Sequence, residues 1–205
     1  MIMNTEWCNF GSSKRTLPCT WFDRKLSRES INPQFHVFEK MTTGIFLGEL
    51  SSEVLNTVHS FDTSYMYVCE ADDSDSLEDT RIILEDMLDL SKTTMGDREV
   101  VKKVCELVGM RAAQLVGASI AAIVQHMVER GIGMTDQGYA ISISGSIYED
   151  YPSFHPRVCR TIKELIPEEI ACKLSVGVVK HSRIVGAAIV AMMAEKIAAD
   201  KRSRS

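Results

Sequence analysis

The groups in this chain that could do chemistry are hydrogen-bonding carboxylates, hydroxyls and glycine amides. Glu39 stands at the start of the stretch Phe38 to Leu50, where a helix dipole keeps a carboxylate ionised and able to accept hydrogen bonds. It reads either as an N-terminal cap or as an acceptor for a ligand. Gly44 and Gly48 follow, four apart on one face, although each weakens a helix interior by about 1 kcal/mol relative to alanine, so something approaches that face closely. Two strand-to-turn junctions, Ile143-Ser144-Gly145-Ser146 and the segment before Gly186, lie where α/β folds bind ligands. Glycine amides and hydroxyls there suit phosphate; most Gly-Ser turns are only turns.

The elements that must position these groups are legible from periodicity. Met41, Ile45, Leu47, Leu50, Val54, Leu55 and Val58 recur at three- and four-residue intervals and predict one packed helix. Ahead of it, Met1 to Phe10 reads as a strand running into a turn at Gly11-Ser12-Ser13. Residues 11–34 read as an extended excursion, with a short turn near Trp21 to Leu26. The acidic run Glu70, Asp72, Asp73 and Asp75 is read as a solvated face. Ser76 is a candidate cap for a helix from Leu77 to about Leu90. Asp97 opens the longest periodic segment, to about Arg130, and its Gly109, Ala112, Ala113, Gly117, Ala118, Ala121 and Ala122 predict tight packing. Tyr139 to Ile143 alternates as a strand, Phe154 to Ile166 reads as a helix stopped by Pro167, Leu174 to Val179 is a second strand, and Ile184 to Ala199 a terminal helix. Strand, helix, strand, helix predicts an α/β layer.

Composition narrows the function classes. A net charge of −5 over 205 residues, with basic residues scattered, argues against a nucleic-acid footprint. Only Lys201 to Ser205 concentrates positive charge, and residues 200–205 are expected to be a disordered tail. No apolar run reaches the roughly 20 residues of a membrane span, and no signal-like N-terminus is seen, so a soluble, cytoplasmic chain is expected. Six cysteines without a CxxC pair and five scattered histidines predict buried thiols and no transition metal.

Taken together, Asn4-Thr5-Glu6-Trp7 with Asn9-Phe10, Asp23 with Glu29-Ser30-Ile31-Asn32-Pro33, Phe38 to Leu50, Asp62-Thr63-Ser64, Leu77-Glu78-Asp79-Thr80, Asp97 to Ala113, Gly145 to Glu149 and Gly186-Ala187-Ala188 resemble the hexokinase family, in particular its fungal glucokinase-like branch. The resemblance implies an α/β fold of the ribonuclease H-like, actin-like ATPase type, present as the large lobe of a sugar kinase over residues 1–199. It implies transfer of phosphate from ATP, with Mg²⁺, to glucose or a related hexose. Glu6 and Glu39 match positions that accept hydrogen bonds from sugar hydroxyls; Gly44, Thr63, Ser64, Gly145 and Ser146 match the nucleotide and phosphate side.

The departures from the family pattern carry expectations of their own. No small lobe with its first phosphate loop and general-base aspartate precedes Met1. Ser144 stands where the family has aspartate, which leaves the turn without a carboxylate, and His181-Ser182-Arg183-Ile184 replaces a glycine-rich loop on the adenosine side. The chain alone is therefore expected not to turn over sugar, with no catalytic residue of its own. A non-catalytic regulatory role through a protein partner, covering the face left by the absent lobe, is the alternative.

Overall fold

The computed structural model of the chain describes residues 7–13, 15–55, 61–132, 138–178 and 182–203. Its axis is α6, Met95–Glu129, 35 residues opened by a reciprocal cap in which Thr94 and Asp97 bond each other's backbone amides. By length and composition alone one stretch of α6 could cross a membrane, where the sequence predicts no such run. In the fold its apolar positions Val101, Cys105, Val108, Ile120 and Val124 belong to the main core cluster.

Around this axis the small residues of α6 let neighbours approach at backbone distance. A methyl group on Gly109 would stand 2.5 Å from the Tyr151 hydroxyl, and one on Gly117 would stand 2.7 Å from Thr161 Cβ. The expected tight packing is thus a specific contact with α8, Phe154–Leu165, and the turn that precedes it. The hydroxyl of Tyr151 donates to Glu70 Oε2 at 2.7 Å and lies 3.1 Å from the Cys105 carbonyl. Glu70, at the end of α4, Thr63–Ala71, also pairs with Arg157 Nη2 at 2.6 Å.

The acidic run is therefore only partly a solvated face. Besides Glu70, Asp72 is buried, and its carboxylate accepts from the amides and hydroxyls of Ser74 and Thr80. Burial would raise the Asp72 carboxyl, but these four donors hold it below the ordinary range. Asp73 and Asp75 are exposed.

The N-terminal segment packs on the same axis. Trp7–Asn9 forms a single 3₁₀ turn where a strand is expected, residues 1–6 lying outside the described set. Thr20 and Asp23 cap α1, Trp21–Glu29, in a second reciprocal box. Arg111 of α6 then grips the same Asp23 in a two-point pair, at 2.9 and 2.6 Å. One buried carboxylate so starts α1 and fixes it to α6. Burial pushes the Asp23 carboxyl up, and the bonds from Arg111 and Thr20 outweigh it, leaving it below the usual carboxylate range.

The predicted single helix from Phe38 is two helices. α2, Val37–Thr42, ends at Thr43, whose backbone is extended (φ −93°, ψ 138°), and α3, Gly44–Leu55, starts in a new direction. Two β-branched threonines followed by glycine are poor helix formers, so the apolar stripe breaks there. Met41 and Leu47 are buried on their separate helices while Ile45 is 75% exposed. Gly48 has its own reason: a methyl group there would meet the Phe61 carbonyl at 2.5 Å and the Thr63 amide at 2.7 Å. The backbone that passes close to Gly48 is the chain's own. The helix expected from Leu77 to Leu90 is α5, Glu78–Ile82, continued by one π turn, Ile83–Met87. Ser74 Oγ, not Ser76, accepts the Glu78 amide, at 2.9 Å.

The α/β layer is present as predicted. β1, Tyr139–Ile143, pairs in parallel with β2, Leu174–Val178, from Tyr139 opposite Leu174 to Ile143 opposite Val178. The crossover between them carries α7, Ser146–Asp150, then α8, then α9, Glu168–Ala171, as parallel pairing demands. α10, Ser182–Ser203, keeps residues 200–203 helical where a tail is expected. Of the six cysteines, Cys69 and Cys105 are buried, Cys8, Cys19 and Cys159 half-buried, and Cys172 exposed.

Two measurements check this packing. Gly109→Ala should lower the unfolding free energy by about 1–3 kcal/mol through overpacking against Tyr151, while Gly96→Ala, whose methyl meets only Thr94 Oγ1 at 3.8 Å, should stay within about 0.5 kcal/mol of wild type in the same urea titration. Asp23→Asn should cost about 3 kcal/mol near neutral pH by leaving Arg111 uncompensated. Because the folded Asp23 carboxyl lies below its unfolded value, that stabilisation is present above about pH 4 and is lost as pH falls through the folded value. The gap between wild type and Asp23→Asn should accordingly narrow below about pH 4.

Candidate functional site

The start of α2 and the end of β1 face each other across α6, and a cavity of 560 Å³ lies between them. Its floor is Val116, Ile120 and Ile123 of α6; its walls are Phe38 with Thr42 to Gly44 on one side and Ser144 to Ser146 on the other. Phe38 is buried against Trp7, with ring centroids 5.8 Å apart, which anchors the α2 wall. Among the described residues, no Asp, Glu, Lys or Arg lines this cavity. A second, apolar cavity of 640 Å³ adjoins it and shares Trp7, Phe38 and Ile123.

The cavity brings together Gly44, Gly145 and Ser146 of the expected site residues. Thr63 and Ser64 stand at the start of α4 and are committed locally. The Thr63 hydroxyl donates to the Gly44 carbonyl and accepts from the Gly48 amide, and Ser64 bonds Asp62 through both its amide and its hydroxyl. Those two bonds from Ser64 hold the Asp62 carboxyl below its usual value. Glu39 does not line the cavity; its side chain is 37% exposed in the first turn of α2. Glu6 lies outside the described residues; Trp7, next to it in sequence, lines the cavity.

Two features of the site were not read from the sequence. One is the wall Thr42-Thr43, created by the helix break; the signal was the pair of β-branched residues before Gly44. The other is Glu149. Its Oε1 accepts the Gly145 amide at 3.1 Å and faces the Ser144 hydroxyl at 3.5 Å. The turn expected to lack a carboxylate therefore holds one, supplied from one helical turn downstream.

This arrangement decides the fit of a nucleotide. A polyphosphate at the β1–α7 turn needs free amides and a positive potential. Here the Gly145 amide is bound by Glu149, and the described lining carries no cation. These described residues do not fit a Mg²⁺-bound triphosphate.

Comparison with known proteins agrees with this architecture. A protein-family model described as Hexokinase matches residues 1–193. Hexokinase-1 of Schizosaccharomyces pombe is 29% identical over 96% of this chain and 43% of its own length. Glucokinase of Aspergillus niger is 29% identical over 100% of this chain and 47% of its own length, and Hexokinase-2 of rice is 32% identical over 93% and 42%. The chain thus spans less than half the length of these relatives. Among solved structures, a hexokinase from Schistosoma mansoni complexed with glucose superposes with a TM-score of 0.75 at 27% identity, over 85% of this chain and 42% of that one. The mixed α/β fold is therefore part of the actin-like, ribonuclease H-like ATPase fold. A match that starts at residue 1 and runs to residue 193, joined to this structural likeness, makes the chain a member of the hexokinase family.

Proposed function

We propose that this chain carries the hexose-binding wall of a hexokinase-family large lobe and that, as the 205-residue polypeptide, it binds glucose or a related hexose without phosphorylating it. The observation that carries the reading is the placement of Glu39, ionisable and half-exposed at the first turn of a helix whose other face, Val37, Phe38 and Met41, is locked in a core. A carboxylate so held accepts two or more hydroxyl donors with little ordering cost. Glu6, beside Trp7, is the second acceptor in this reading. The glucose bound by the Schistosoma hexokinase supports a hexose as the ligand class.

Phosphoryl transfer needs an in-line arrangement of donor and acceptor, with a group to orient or deprotonate the attacking hydroxyl. Gly44, Gly145 and Ser146 retain the place of a nucleotide-side wall, but Glu149 occupies the amide such a wall would offer. Among the described residues no carboxylate lines the cavity, and Glu149 is tied to the turn. Hexose binding without turnover follows. A second reading, action through a protein partner, is supported by α10, whose Ile184, Val190 and Met192 are about 70% exposed.

A coupled hexokinase assay on the purified chain should give no turnover above background with ATP and Mg²⁺; measurable glucose 6-phosphate formation would sink the proposal. Titration calorimetry with glucose should give saturable heat for wild type and at least tenfold weaker binding for Glu39→Ala, as expected on losing hydrogen bonds to a charged acceptor. Equal heats from the two proteins would remove Glu39 from the site.

A further inference from the structure

We infer that His36 is the positioning residue for Glu39, its imidazole fixing one carboxylate oxygen so that the other is presented to a hexose hydroxyl. This rests on Glu39 being the hexose acceptor, and it adds a group that the family match does not assign.

The backbone of His36 is left-handed, at φ 54° and ψ 41°, a conformation that non-glycine residues seldom adopt. Such strain persists where the surroundings over-determine it, and it concentrates at ligand clamps. Here the surroundings do so. Lys40 Nζ donates to the Asn32 carbonyl at 2.6 Å, the Gln34 amide donates to Ser27 Oγ at 3.2 Å, and the Lys40 amide donates to the His36 carbonyl at 3.0 Å. The segment 32–36 is thus pinned to both α1 and α2. His36 does not cap α2 with its side chain, so capping is not the reason for its position.

The imidazole instead lies over the first turn. Its Nδ1 is buried and makes no hydrogen bond, and Glu39 Oε2 stands 3.4 Å from it, out of line for one. Buried ring nitrogens without a partner are uncommon in native structures. A small rotation of the Glu39 carboxylate completes the bond, with the proton on Nδ1 and Oε2 accepting. Among the described residues no other donor reaches Glu39, and its side chain is 37% exposed. Oε1 is then the free acceptor, and the rotation that satisfies Nδ1 also sets its direction. Site hydrogen bonds that are long in the free protein commonly tighten when the ligand binds.

Glucose calorimetry on three variants tests this, with thermal melts confirming that each is folded. His36→Ala should weaken glucose binding about tenfold, the usual cost of losing a hydrogen bond to a charged group. His36→Gln, whose amide can donate to Oε2 from the same reach, should stay within about threefold of wild type. His36→Asn relieves the left-handed backbone but is too short to reach, and should bind as poorly as the alanine variant. A role confined to the backbone gives the opposite order, Asn restoring binding and Gln failing to, and that order overturns the inference. Unchanged affinity in His36→Ala beside a binding wild type overturns it alone, whereas no heat from the wild-type chain removes the hexose reading and this inference together.

Discussion

The rest of this structure depends on how closely other segments can approach α6. At Gly109 and Gly117 there is no side chain, and Tyr151 and Thr161 fill the space a methyl group would take. That contact fixes α8 and the turn before it, and through Tyr151 it reaches Glu70 and Arg157. On the opposite side Arg111, two residues beyond Gly109, holds Asp23 and with it α1. A motif of glycine, arginine and two alanines is therefore one packing device: close approach on one face of the helix, a two-point ion pair on the other. Removing one partner of such a buried pair costs more than the pair contributes, which makes this neighbourhood intolerant of single changes.

The candidate site inherits its geometry from the same helix. Val116, Ile120 and Ile123, further along α6, floor the cavity, while α2 and the β1–α7 turn wall it. The two walls have different chemical characters. Beside the α2 wall, outside the cavity lining, an exposed carboxylate stands on the first turn of the helix, with a strained histidine next to it. The β1–α7 wall is a glycine turn closed by its own glutamate. Binding of neutral polyols suits the first; binding of polyanions is opposed by the second.

Much of this was legible in the sequence where the pattern is local. The period of α6, the alternation of Tyr139 to Ile143 and the stop at Pro167 report directly on elements whose burial is periodic. The failures share a physical cause, which is that the deciding partner is distant. Glu70 and Asp72 read as solvated because nothing nearby in sequence announces Arg157, Tyr151 or Thr80. The break at Thr43 was hidden because Met41, Ile45 and Leu47 keep helical spacing across it, although Ile45 faces solvent. Gly44 and Gly48 were rightly read as a close approach, but the approaching groups are Ile147 and the backbone from Phe61 to Thr63. The carboxylate at the β1–α7 turn was missed because it comes from Glu149 rather than from the position at which the family carries aspartate.

We propose that the start of α2 keeps a ligand-binding role and that the β1–α7 turn does not. Amide hydrogen exchange of the intact chain, read segment by segment with glucose and separately with Mg²⁺ and ATP, tests both halves in one experiment. The account predicts added protection over residues 37–44 with glucose and no change over residues 143–149 with the nucleotide. Protection at the β1–α7 turn with ATP, or none at α2 with glucose, would contradict it.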